Sequence, residues 1–189
     1  MKSPQGTQDS PARSCLDLYL ENPSIHDDFY WIDPNGGCIA DAVLVFCNFS
    51  TEAIKTCVHP VEKESNIQSW SGDSIWLSTF RGGFQLSYTI SKSQLQFIRT
   101  GSRYASQQFT YNCRNSEASV LFRTQSNKEI SPTRVIQDGC QGKPSHLESS
   151  VLEVNTKSVE QLPLRDFAAT DIGDSNQEFG FTMGPACFY

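Results

Sequence analysis

The segment that decides the fold reads Tyr30-Trp31-Ile32-Asp33-Pro34-Asn35-Gly36-Gly37-Cys38-Ile39-Ala40-Asp41. It combines oxygen-bearing side chains, a tight-turn sequence and a cysteine. Pro34 and the Gly36-Gly37 pair favour a turn, because proline presets its backbone angle and glycine adopts left-handed conformations. The fold, a candidate ion site and a candidate contact with a partner chain therefore all depend on this one segment.

The oxygens of this segment suit a hard cation. Asp33, Asn35 and Asp41 supply two carboxylates and an amide, and Ca²⁺ takes about six to eight such oxygens together with carbonyls and waters. Mg²⁺ demands stricter octahedral geometry and fits less well. A structural role is also compatible with the spacing, with Asp33 forming an Asx-turn and Asp41 capping a helix. Spacing alone leaves both interpretations open.

Composition narrows the function classes. The chain has 189 residues, a net charge of -6 and no basic run, so neither nucleic acid nor an anionic membrane is an expected partner. No apolar stretch approaches the roughly 18–20 residues of a membrane span, and the polar start is no signal peptide. A G-x-S-x-G motif and a phosphate-cradling loop are both missing from the sequence, so an enzyme is not expected.

The cysteines indicate an oxidising compartment. There are seven of them and no C-x-x-C pair, a pattern that favours disulfides in a secreted protein over a zinc site. Three pairs would leave one thiol free for another chain. The sequon Asn48-Phe49-Ser50 predicts glycosylation of Asn48 and agrees with secretion.

Hydrophobic patterning predicts an irregular, β-rich α+β fold stapled by disulfides. Residues 1–14 are polar, contain two prolines and indicate a linker, which leaves 15–189 as the domain. Residues 16–20 fit a short helix or strand, and the tail from 162 onward is rich in loop signals. The predicted strands are 42–46, 82–88, 95–99, 109–113, 119–122 and 151–154.

Ordered blocks along nearly the whole chain resemble the C-terminal propeptide domain of fibrillar collagens. Among the blocks are Ser14-Cys15-Leu16-Asp17-Leu18, Tyr30-Trp31-Ile32-Asp33-Pro34-Asn35, Val45-Phe46-Cys47-Asn48, Phe97-Ile98-Arg99, Thr110-Tyr111-Asn112-Cys113-Arg114-Asn115-Ser116, Gln177-Glu178-Phe179-Gly180 and Gly184-Pro185-Ala186-Cys187-Phe188. The resemblance implies a structural protein of the extracellular matrix, folded in the endoplasmic reticulum and secreted. It also implies a fibrinogen-like base with an outer lobe, assembling as a trimer.

The resemblance further implies a role in collagen assembly. Three such domains, from the same or different collagen chains, would bring the chains into register and start triple-helix folding, and a procollagen-processing proteinase would later remove the propeptide. Residues 1–14 would lead toward the stalk. The chain has no Gly-X-Y repeat, so the collagenous part is expected upstream of Met1.

Specific residues carry over from the family. The implied Ca²⁺ ligands are the side chains of Asp33, Asn35 and Asp41 and the carbonyls of Gly36 and Cys38. The implied disulfides are Cys15–Cys47, Cys57–Cys187 and Cys113–Cys140. The family pattern also implies that Cys38 reaches a cysteine of a neighbouring chain.

Two departures from the family pattern bear on assembly. Glu21 occupies the position of the cysteine that would bond the neighbour's Cys38, so this chain alone cannot make that interchain bond. A different chain would supply the cysteine, or the trimer would be noncovalent. The segment that selects partner chains has shrunk to Thr89 through Gln94.

A second hypothesis is a secreted fibrinogen-like recognition module that binds carbohydrate or acetylated ligands, because the amino-terminal half resembles such domains more loosely. Gly-X-Y repeats upstream would support the collagen hypothesis, and their absence would support the module.

Overall fold

The computed structural model describes residues 3–49, 52–71 and 75–189. Within these ranges the elements in chain order are α1 (Cys15–Glu21), β1 (Asp28–Ile32), β2 (Val43–Asn48), β3 (Lys55–Val58), β4 (Glu64–Gln68), α2 (Lys92–Thr100), β5 (Ala105–Arg114), β6 (Val120–Arg123), β7 (Glu129–Ile130), β8 (Arg134–Asp138), β9 (Glu148–Thr156), β10 (Asp166–Ala169) and β11 (Glu178–Phe188), with short 3₁₀ turns at Ile39–Asp41, Leu77–Thr79 and Val159–Gln161. The prediction of a β-rich, disulfide-stapled domain with few helices is confirmed.

Most of the described strands belong to one antiparallel sheet. Its order is β1-β2-β3-β11-β5-β9-β8, with β4 also pairing with β11. The strands β10, β6 and β7 form a smaller sheet. The last strand of the chain therefore lies at the centre of the large sheet, between β3 and β5.

The part of the core where the two sheets meet is rich in aromatic rings. Side chains of β5 alternate between buried and partly exposed, as expected for a strand with one face on a core. Phe167 of β10 packs against Phe109 of β5 and Phe181 of β11, with ring centroids 4.6 and 4.8 Å apart respectively. Phe167 thereby joins the small sheet to the large one.

The helix α1 follows from its local sequence. Ser14 is the N-cap, and its hydroxyl accepts a hydrogen bond from the Asp17 amide at 3.1 Å, which satisfies one donor of the first helical turn. Cys15 and Leu18 are buried three residues apart, the spacing of one helix face. Of the two structures that the sequence allowed for residues 16–20, the helix is the one that forms.

Three local predictions are wrong. Residues 95–99 form part of helix α2 rather than a strand, because Leu95 and Ile98 are the buried face and Ser91 caps the helix by accepting from the Gln94 amide at 3.2 Å. Residues 82–88 lie outside the named strands. The tail is not mainly loop, because β10 and β11 pair with strands distant in the chain.

The described part of the predicted linker runs beside β1. The Trp31 amide donates to the Gly6 carbonyl at 2.8 Å, and the Asp33 amide donates to the Ala12 carbonyl at 2.7 Å. Ala12 is buried. Residues 3–14 therefore support the start of the 30–41 segment, while the domain boundary at residue 15 stays a prediction.

No helix in the described ranges has the length and apolar character needed to cross a bilayer.

Candidate metal centre

The predicted ion-binding residues lie in one loop that connects β1 to β2, here called the acidic loop (residues 33–41). Asp33 follows directly after the fully buried Ile32 and is itself only 5% exposed. Asn35, Gly36, Cys38 and Asp41 are exposed. The buried end of β1 thus fixes one carboxylate, and the loop carries the other candidate ligands out to solvent.

The loop folds through a tight turn. The Gly36 amide donates to the Asp33 carbonyl at 3.1 Å and to Asp33 Oδ1 at 3.3 Å. Gly36 has a φ of +67°, a left-handed conformation that favours glycine. The glycine at this position therefore suits the backbone of the turn.

The two ends of the loop are joined by side chains. Asn35 Nδ2 donates to Asp41 Oδ2 at 2.9 Å, and Asn35 Oδ1 accepts from the Gly37 amide at 3.4 Å. The Asp41 amide donates to the Cys38 carbonyl at 3.2 Å, which closes the 3₁₀ turn. The structure thus brings Asn35 and Asp41 into direct contact, and the same loop holds Asp33, Gly36 and Cys38.

The structural alternative is only partly confirmed, because Asp41 is the last residue of the 3₁₀ turn and its Oδ2 accepts from Asn35 instead of capping a helix. The Gly36 contact with Asp33 Oδ1 is the Asx-type interaction of the structural interpretation. The loop also presents two carboxylates, one amide and several carbonyls, which are hard ligands. No group of three or more His, Cys, Asp and Glu side chains in the described residues is arranged to hold a metal. Amide and carbonyl oxygens would therefore have to complete any site here.

Two further groups shape the electrostatics of the loop. A Cβ built on Gly36 would lie 3.4 Å from Arg13 Nε, so an exposed guanidinium stands beside the turn. Its repulsion of a cation would be reduced by solvent screening. At the start of the segment, the pKa of Tyr30 is raised by burial and then by the charges of Asp28 and Asp27. The Tyr30 hydroxyl donates to the His26 carbonyl at 2.9 Å.

The loop has one contact that the sequence analysis missed. Gln94 of α2 is fully buried, and its Nε2 donates to the Asp41 carbonyl at 2.9 Å. It lies 53 residues from Asp41 along the chain. In the sequence it directly precedes the segment 95–99, which was predicted to be a strand. The helical spacing of Leu95 and Ile98 was the signal that could have placed Gln94 on a helix face.

The structure joins six cysteines as Cys15–Cys47, Cys57–Cys187 and Cys113–Cys140, the pairs that the resemblance implies. Cys38 is a free, exposed thiol in the acidic loop. Glu21, the last residue of α1, is also exposed. Asn48 ends β2, but Ser50 of its sequon lies outside the described residues, so glycosylation stays a prediction.

Comparisons with known proteins agree with the family resemblance found in the sequence. The family model for the fibrillar collagen C-terminal domain matches residues 1–188. Collagen EMF1-alpha of Ephydatia muelleri is 60% identical over 189 residues, covering 100% of this chain and 35% of that protein. Collagen alpha-2(I) chain of Oncorhynchus mykiss is 35% identical over 98% of this chain, and collagen alpha-1(II) chain of Xenopus tropicalis is 37% identical over 100% of it. The chain spans 16% and 15% of those two relatives.

Fold and comparisons together define a disulfide-stapled structural domain of the extracellular matrix, not an enzyme. The chain belongs to the fibrillar collagen C-terminal domain family, because the family model covers nearly all of it.

Proposed function

We propose that the domain associates with two other collagen chain ends, holds the three chains in register and so nucleates triple-helix folding. The family match over residues 1–188 carries this proposal. A triple helix needs glycine at every third position of three chains in register. Tethering three chain ends in one trimer makes nucleation effectively intramolecular, which raises the effective concentration of each chain for the others.

The acidic loop is the proposed calcium site within that trimer. Asp33, Asn35 and Asp41 with the carbonyls of Gly36 and Cys38 would supply oxygen ligands, and waters would complete a shell of about six to eight. The donor set suits the ion, because one short loop holds two carboxylates and an amide: Asn35 lies within hydrogen-bond distance of Asp41, and the turn holds Asp33. Bound calcium would neutralise the two carboxylates and order the exposed loop that carries Cys38.

The calcium proposal predicts cation-dependent assembly. We expect the chain to sediment as trimers in Ca²⁺ and to associate more weakly after chelation. Asp41→Asn in Ca²⁺ should behave like the chelated parent chain, because the variant removes one of two carboxylates. Analytical ultracentrifugation measures both effects.

The control for Asp41→Asn is Asp9→Asn, which makes the same charge change at an exposed turn residue. Identical sedimentation with and without chelator would count against an interface role for the loop.

The exposed Cys38 thiol leads to a prediction about covalent bonds between the three chains. A non-reducing gel of the pure chain should show monomers, since Glu21 replaces the cysteine that would receive the neighbour's thiol. Glu21→Cys should restore covalent trimers if the family pairing applies, whereas the double variant Glu21→Cys/Cys38→Ser should not. Disulfide-linked trimers of the unaltered chain would overturn the interpretation of Glu21 and remove the argument for a different partner chain.

Several finer features belong to the same proposal. They are a fibrinogen-like base with an outer lobe, folding in the endoplasmic reticulum, glycosylation of Asn48 and processing by a procollagen proteinase. The recognition-module alternative is not favoured, because the family match extends over both halves of the chain.

A further inference from the structure

The buried amide of Gln94 is the most unusual polar group near the acidic loop. The side chain has 0% exposure, although glutamine is mostly found at protein surfaces. It belongs to the first turn of α2, where the Ser91 cap holds the Gln94 backbone amide. The side chain is therefore carried by a capped helix and points into the protein.

Gln94 contacts both ends of the acidic loop. Its Nε2 donates to the Asp41 carbonyl at 2.9 Å and to Asp33 Oδ1 at 3.4 Å. Asp33 begins the loop and Asp41 ends it. A single amide nitrogen thus contacts both acidic residues and ties them to α2.

The other end of the same amide has no hydrogen-bond partner. Gln94 Oε1 is buried and accepts nothing from the described protein. Leaving a buried acceptor unsatisfied costs stability, so the oxygen end gives no reason for a polar residue at this position. The nitrogen end of the amide therefore explains why a polar residue occupies this position. The two groups that accept from it belong to Asp33 and Asp41, which are proposed ligand residues.

We propose that Gln94 is a positioning residue for the calcium site, an inference that rests on the proposed function of the acidic loop. Its amide orients the Asp33 carboxylate and holds the Asp41 main chain, without adding a charge to the loop. Ligating carboxylates are themselves hydrogen-bonded in metal sites, and loss of such partners commonly weakens metal binding by about 10–100-fold. Through the same contacts, calcium binding would change the environment of the first turn of α2.

The test compares Gln94→Met with Gln96→Met, a matched change on the exposed side of the same helix. Isothermal titration with CaCl₂ should show about 10–100-fold weaker binding for Gln94→Met and binding within twofold of the parent for Gln96→Met. Melting in chelator should leave Gln94→Met folded, because removal of the unsatisfied buried oxygen offsets part of the loss of the two donated hydrogen bonds. A parent chain that binds no calcium would overturn the proposed calcium site and this inference together, and would leave the proposed role in trimer assembly untouched. A parent that binds, with Gln94→Met also binding within twofold, would overturn the role of Gln94 alone.

A second measurement needs no variant and reports on the amide itself. In ¹H–¹⁵N spectra, the side-chain amide signals of Gln94 should shift during a CaCl₂ titration with the same midpoint as the backbone amides of Asp33 and Asp41. The side-chain signals of Gln96 should stay in place. Gln94 signals that do not move while the loop amides do would overturn the proposal, whatever the stability of the variants.

Discussion

We expect the double variant Cys57→Ala/Cys187→Ala to lose about 5 kcal/mol of unfolding free energy, which is the largest effect of removing any one disulfide. The bond closes a sequence separation of 130 residues, whereas Cys113–Cys140 closes 27. In the chain-entropy model the shorter loop contributes about 3.5 kcal/mol. The difference arises because a longer closed loop removes more conformations from the unfolded chain.

The position of this bond in the sheet adds to the argument. Cys57 and Cys187 are directly opposite partners on β3 and β11, so the bond links the first half of the chain to the strand at the centre of the sheet. Equilibrium urea unfolding of the three double-alanine variants measures the effect. If Cys57→Ala/Cys187→Ala lost no more than Cys113→Ala/Cys140→Ala, loop length would not control the stabilisation.

Local signals in the sequence predict the parts of the fold that local interactions determine. Alternation around Phe109–Cys113 identifies the centre of β5, and the short apolar run at 42–46 identifies β2. The fold class follows from such segments together with the spacing of the cysteines. The pairing of those cysteines does not, since six cysteines allow fifteen patterns, and it required the family resemblance.

The tail shows where local signals fail. Glycine and proline between residues 180 and 185 are typical of loops, yet the segment forms most of β11. At Gly180 the close approach of another strand explains the glycine, because a Cβ there would lie 2.7 Å from the Ile67 amide nitrogen. Pairing with β3, β4 and β5 outweighs the low strand propensity of these residues.

The residues of the candidate site also differ in whether local sequence signals reveal them. Asp33, Asn35 and Asp41 are close together in the sequence, so their spacing was enough to identify them as a set. Gln94 reaches the loop only through the packing of α2, and its distance along the chain leaves no local pattern to detect. Sequence therefore predicts the ligands of the proposed site, and only the fold reveals the contact of Gln94 with the loop.

We expect Phe167→Ala to lower the free energy of unfolding by about 3–5 kcal/mol, the range for removing a large aromatic ring from a core. Phe167 is 0% exposed and lies on the small sheet, in contact with Phe109 and Phe181 of the large sheet. Its removal would open a cavity beside rings that belong to two strands of the large sheet, β5 and β11. Because such rings cannot all move to fill the space, the lost contacts add to the lost hydrophobic burial.

The matched control is Phe97→Ala, which deletes the same ring from an exposed position on α2, where Phe97 is 51% accessible. Under chelating conditions, where the chain is expected to be least associated, this variant should lose less than about 1 kcal/mol. Urea unfolding gives both values, and hydrogen exchange should show faster exchange in β6 and β10 for Phe167→Ala alone. Equal losses for the two variants would mean that Phe167 does not join the sheets. A loss at Phe97 that appears only in Ca²⁺ would instead indicate that the exposed face of α2, the helix tied to the acidic loop by Gln94, is buried in the trimer.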